Sequence, residues 1–95
     1  MIEGFNERFG TDFDVQDMVN TIAESLNTQM EPLVRANNDE ESLKVEFDEM
    51  LTDVVTERYE EYSRFIDTVF SDEAMKQVFQ ELMFEGIMSR LQQSV

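Results

Sequence analysis

The chain has no cysteine and no histidine, a single proline at Pro32, and only three glycines, Gly4, Gly10 and Gly86. Each shortage removes a class of chemistry. Without cysteine there is no disulfide framework and no thiolate metal site, which fits a reducing compartment. Without histidine the commonest general base, the commonest neutral metal ligand and the usual pH switch are missing. No serine therefore has an imidazole to activate it. Three scattered glycines cannot form a phosphate-cradling loop. No apolar run approaches the roughly 18 residues a membrane-spanning helix needs. The opening MIEGFNERFG lacks the basic-then-apolar pattern of a signal peptide.

Positive charge is scarce as well. Seven basic residues stand against 22 acidic ones, a net charge of −15. Direct binding to DNA phosphates or to an anionic membrane needs clustered Lys and Arg, so both are disfavoured. What the balance allows is a highly soluble surface, or a basic protein as partner.

Apolar content is 41% with eight Phe, enough to fill one core in a 95-residue chain. Residues 39 to 70 organise it. They contain neither Gly nor Pro, and Leu43, Phe47, Met50, Leu51, Val54, Val55, Tyr62, Phe65, Ile66 and Val69 recur at steps of three and four. That spacing gathers side chains on one helical face. The stretch is read as one long helix, or two meeting near Glu60 and Glu61.

Before it, Ile2, Phe5 and Phe9 suggest a short amphipathic turn that Gly10 ends. Asp14 is expected to cap a helix over about 15–29, carrying Val15, Met18, Val19, Ile22, Ala23 and Leu26 on one stripe, with Met30 as a further candidate. Asp12, Asp14 and Asp17 do not make a calcium loop, because its sixth position is Asp17 instead of Gly and its twelfth is Ala23 instead of Glu. Pro32 suits the first turn of a short helix over 31–36, and Asn37-Asn38-Asp39 reads as a turn and cap. Glu40 with Lys44, and Glu60 with Arg64, have the spacing of favourable helical ion pairs. Ser71, followed by Asp72 and Glu73, is expected to start the last helix, over 72–92. That helix holds Met75, Val78, Phe79, Leu82, Met83, Ile87 and Leu91. Gly86 inside it costs on the order of 1 kcal/mol against Ala, which close approach of a neighbouring helix would justify. No alternating strand pattern and no repeat is present. The expected fold is all-α, a bundle of three main helices, with residues 1–13 as a docking or linker segment and 14–95 as the bundle.

Candidate sites are few. Lys44 and Lys76 lack the acid–x–Lys spacing of a metal-dependent nuclease. The segment is therefore expected to be non-catalytic, with no cofactor and no metal of its own. Two features suggest contact with a protein. Glu46, Glu49, Asp53, Glu57 and Glu60 step by 3, 4, 4 and 3, forming an acidic line opposite the apolar face. Ordinary solvation of an acidic helix explains such a line, and so does a basic protein partner. DNA mimicry fits less well: at 1.5 Å per residue the line carries a charge about every 5 Å, against about 3.4 Å per phosphate of one strand. The second feature is Phe5, Phe9 and Phe13. They flank a loop, and an isolated domain is expected to struggle to bury all three, which marks them as docking residues or as packing on the first helix. Met18, Met30, Met50, Met75, Met83 and Met88 offer an adaptable groove or ordinary core filling.

The string Asn6-Glu7-Arg8-Phe9-Gly10-Thr11-Asp12-Phe13, followed by what is expected to be an acid-capped helix, resembles the C-terminal region of the restriction (motor) subunit of bacterial type I restriction-modification enzymes. The later pattern is similar too: an Ala36-Asn37 turn, a helix centred on Phe47, then Arg58, Phe65-Ile66, a Ser71-Asp72 break, and a close on Ile87-Met88-Ser89-Arg90-Leu91. The likeness covers essentially the whole chain, and NERFGTDF is its most specific part. At Val19-Asn20-Thr21 this chain has fewer aromatics than the family pattern. The resemblance implies a parent subunit, cytoplasmic and bacterial, with a nuclease domain and two RecA-like ATPase domains elsewhere. Such a parent is an ATP-dependent site-specific deoxyribonuclease that uses ATP and Mg and translocates DNA. It implies that this piece is the helical C-terminal domain, assembling with the methyltransferase and specificity subunits. None of the family's catalytic residues map onto it. A free-standing acidic regulator, such as a DNA-mimicking inhibitor of a basic protein, is the alternative.

Overall fold

A computed structural model describes residues 2–36 and 39–93, and among these every regular element is an α-helix: α1 (Ile2–Phe9), α2 (Gln16–Arg35), α3 (Glu40–Glu57), α4 (Tyr59–Val69) and α5 (Glu73–Gln93). The all-α expectation holds. α5 is the central element and packs against each of the other four, while α2 and α3 pair as an antiparallel hairpin. The apolar stripes read from the sequence become the core: Met18, Ile22, Leu26 and Met30 of α2, Phe47, Leu51 and Val55 of α3, Phe65 and Val69 of α4, and Phe79, Met83 and Ile87 of α5. Among the described residues no polar or charged one is buried. The methionines divide: Met18, Met30 and Met83 are fully inside, while Met50, Met75 and Met88 are half-buried against the core. Phe84, outside the expected stripe, is buried and meets Phe47 edge-on at 5.3 Å. α5 needs this wider apolar surface because it has neighbours on several sides.

Four local expectations are corrected. Residues 31–36 are the last turns of α2, not a separate helix, and Pro32 lies inside it. Proline has no N–H to donate to the Thr28 carbonyl one turn back, while its own carbonyl accepts from the C-cap Ala36 N–H at 3.1 Å. Asp14 does not cap α2; Val15 occupies that position because its side chain is drawn into the core, and a valine offers the α2 N–H groups no acceptor. At the start of α5 the cap is Asp72, whose Oδ1 accepts from Met75 N–H at 3.1 Å. Ser71 instead turns its hydroxyl back onto the Asp67 carbonyl of α4. Gly86 is exposed, and a Cβ added there would meet nothing within 4 Å, so no neighbouring helix requires it.

The stretch 39–70 takes its two-helix form. Asp39 caps α3 through Ser42 N–H at 3.3 Å. The Asn37-Asn38 part of that expected turn lies outside the described residues. α3 ends at Arg58, and Tyr62 (φ −129°, ψ 35°) adds a second bend within α4. Arg64 does not serve Glu60 as expected; it reaches Asp12 at 3.2 Å and lies over the Phe13 ring at 5.6 Å.

Candidate functional site

The Asn6–Phe13 string is a closed turn built around one side chain. Asn6 donates from Nδ2 to Phe13 O at 2.8 Å, while its Oδ1 accepts from Phe13 N–H at 3.1 Å and from the Thr11 hydroxyl at 2.8 Å. Thr11 N–H donates to the Asn6 carbonyl at 3.0 Å. Gly10 makes the reversal possible at φ 64°, a left-handed conformation that costs most residues roughly 1–2 kcal/mol. The turn delivers Phe13 into the aromatic cluster. Phe13 meets Phe65 edge-on at 5.0 Å, and Phe65 meets Phe79 at 5.2 Å. Phe5 lies 4.9 Å from Phe9, 6.3 Å from Phe65 and 6.1 Å from Phe79.

This geometry corrects the reading of the N-terminal phenylalanines as a docking patch. Phe5 is wholly buried, Phe13 is 8% exposed and Phe9 is half-buried against the same core. The chain does accommodate all three, because α4 and α5 contribute Phe65 and Phe79 to receive them. Residues 2–13 are thus part of the bundle, not a segment outside it. Sequence reasoning assigned α1 its apolar face but could not see α4 folding back over it.

The acidic line behaves differently. Glu46, Glu49, Asp53 and Glu57 are all exposed along α3. Glu46 and Glu57 are 11 residues apart, about 16.5 Å at 1.5 Å per residue. Glu60 is exposed too, but it sits in α4 beyond the break at Arg58, so it does not continue the α3 line. Beside the line runs an open groove of about 890 Å³ between α3 and α5. Glu49 and Asp53 form one wall with Asp48, and Glu73 and Glu81 form the other. Lys44 and Lys76 lie within it. The α5 wall was not read from the sequence, although Glu73, Gln77 and Glu81 recur every four residues, a legible signal of one helical face.

Asp48 is the unusual group of this groove. Its carboxyl is half-buried, and its Oδ1 is inaccessible and without a hydrogen-bond partner. Burial pushes its pKa above the ordinary carboxylate value, while the Lys44 and Lys76 ammoniums pull it back in part. Elsewhere Asp39 is held below its ordinary value by hydrogen bonding from Ser42, side chain first and backbone second. The Tyr59 hydroxyl is raised by its hydrogen bond to Asp67 and then by that carboxylate's charge.

Among the described residues no three carboxylates converge as a metal cluster, and no helix is long and apolar enough to cross a membrane. The arrangement can present negative charge and two lysines to another surface. Compared with known proteins, the chain matches no family model, no curated protein and no solved structure.

Proposed function

We propose that this chain is the non-catalytic helical C-terminal domain of a type I restriction subunit, docking that subunit on the methyltransferase and specificity core. The observation that carries the reading is the NERFGTDF string. Asn6, Gly10, Thr11 and Phe13 within it form one hydrogen-bonded turn that seats an aromatic in the core. Those residues shape the fold of this chain, which is the support they lend to the reading.

The contact surface follows from charge. The exposed α3 line (Glu46, Glu49, Asp53 and Glu57) and the α3–α5 groove, which adds Asp48, Glu73 and Glu81, together carry seven carboxylates against two lysines, Lys44 and Lys76. A basic protein surface is the complement. Phosphate mimicry is the weaker reading, since Lys44 and Lys76 interrupt the anionic wall and the break at Arg58 removes Glu60 from the line. The test is deletion of this domain from the parent subunit. Loss of assembly with the methyltransferase core, and with it of ATP-driven translocation, is expected. Intact assembly and translocation would overturn the proposal.

A further inference from the structure

The junction of α3 and α4 sets local sequence against tertiary packing. Residues 39 to 70 contain no Gly and no Pro. Arg58, between the two helices, offers α4 no side-chain cap. Helix ends are ordinarily marked by such residues, so nothing local asks for an interruption here. The break also leaves the first-turn N–H groups of α4 without the i−4 carbonyls that an uninterrupted helix would supply. Around it Arg58 N–H turns back to Val55 O at 3.0 Å, and Glu61 and Tyr62 N–H both converge on Arg58 O at 3.2 Å.

What holds α4 in its bent position comes from the N-terminal segment, from α5 and from one contact within α4 itself. Phe65 is clasped between Phe13, Phe5 and Phe79. Arg64 is bound to Asp12 and covers Phe13. Tyr59 donates its hydroxyl to the Asp67 carboxylate at 2.9 Å, eight residues on. In a straight helix those positions are about 12 Å apart along the axis, a gap that the bend at Tyr62 shortens.

The clasp includes the least self-sufficient element of the fold. α1 has eight residues, below the roughly 12–15 at which an isolated helix becomes even marginal in water. It exists because Ile2 and Phe5 are buried. It is the element expected to open at the lowest free energy.

We propose that the α3–α4 joint is a two-state element governed by α1. With α1 docked, α4 folds back; with α1 withdrawn, residues 40–69 become one continuous helix and α4 swings away from the core. The docking of the chain's first helix is thereby transmitted to the exposed α4 residues Glu60, Glu61 and Asp67. This stands independently of the restriction-subunit reading, since it needs only the packing described.

The absence of cysteine permits specific labelling. Spin labels at Glu46→Cys and Thr68→Cys, both exposed positions, report the joint in the full chain. One continuous helix separates these α-carbons by about 33 Å, 22 residues at 1.5 Å. Ile2→Asp, which ejects α1, is expected to move the main distance from its shorter wild-type value to that length with far-UV ellipticity undiminished. Adding Arg58→Gly, which weakens a continuous helix, should reverse the shift. Tyr59→Phe, at an exposed site with little cost to the fold, should raise the long-distance population in the otherwise unchanged chain, and it decides the matter if Ile2→Asp unfolds. An unchanged distance in the Tyr59→Phe chain, or in an Ile2→Asp chain that keeps its ellipticity, would overturn the proposal.

Discussion

Asn6 does more than any other single polar residue to shape this fold. It satisfies both backbone groups of Phe13 and the Thr11 hydroxyl from one half-buried side chain. Asn6→Ala leaves the Phe13 N–H and C=O without partners beside the aromatic cluster, a loss of about 2–3 kcal/mol. A chemical-denaturation midpoint well below wild type, at unchanged slope, is the expected reading. The two glycines on which the sequence invites comment differ in kind. Gly10 is in the left-handed region, so Gly10→Ala should destabilise by about 1–2 kcal/mol although space for the methyl is open. Gly86 is mid-helix and unconfined, so Gly86→Ala should stabilise by up to about 1 kcal/mol. Thermal melts of the pair should move in opposite directions; a loss at Gly86 would mean a neighbour that the structure does not show.

At the scale of elements, caps separate what was legible from what was not. The helical stripes could be read because a 3.6-residue period is written directly in the order of apolar residues. Asp39 could be read as a cap for the same local reason. Ser71 and Asp14 looked equally suitable and are not caps. The choice between Ser71 and Asp72 depends on where α4 ends, and Val15 is fixed by the core, so tertiary contacts override local preference at both sites. Asp72→Ala should therefore cost about 1 kcal/mol, with Ser71→Ala clearly milder; the reverse order in equilibrium unfolding would restore the sequence-based assignment. Phe5 and Phe13 show the same limit. Periodicity assigned Phe5 to an apolar face, but only the return of α4, a contact across 52 residues between Asp12 and Arg64, reveals what covers it. The acidic line was legible as far as Glu57; that Glu60 departs from it depends on the break at Arg58.

The whole molecule carries a net charge of −15, and its stability should reflect that. Raising salt from about 0.01 M to 1 M shortens the screening length from about 30 Å to 3 Å. Melting temperature should rise accordingly, since mutual repulsion opposes the compact state. Asp48 gives this a local component. Its folded pKa is raised above the ordinary 3.8, so the folded state holds the proton more tightly than the unfolded one. The resulting stability is fully present below 3.8 and is lost as pH rises through the raised folded value. Asp39 acts in the opposite sense: its folded pKa is lowered, and its contribution is present above 3.8 and lost as pH falls through the lowered value. The chain should therefore melt at higher temperature in mild acid than at pH 7, and Asp48→Asn should raise the pH 7 value and flatten that dependence. A profile identical to wild type would remove Asp48 from the account.

The proposed docking surface is the α3–α5 face, with a basic protein surface of a type I methyltransferase and specificity assembly as its complement. Calorimetric titration of the purified chain into that assembly checks this docking. Saturable binding is expected that weakens steeply with added salt and is lost in a Glu49→Lys, Asp53→Lys chain of unchanged helical content. Absence of binding at low salt, or equal binding by the charge-reversed chain, would contradict it.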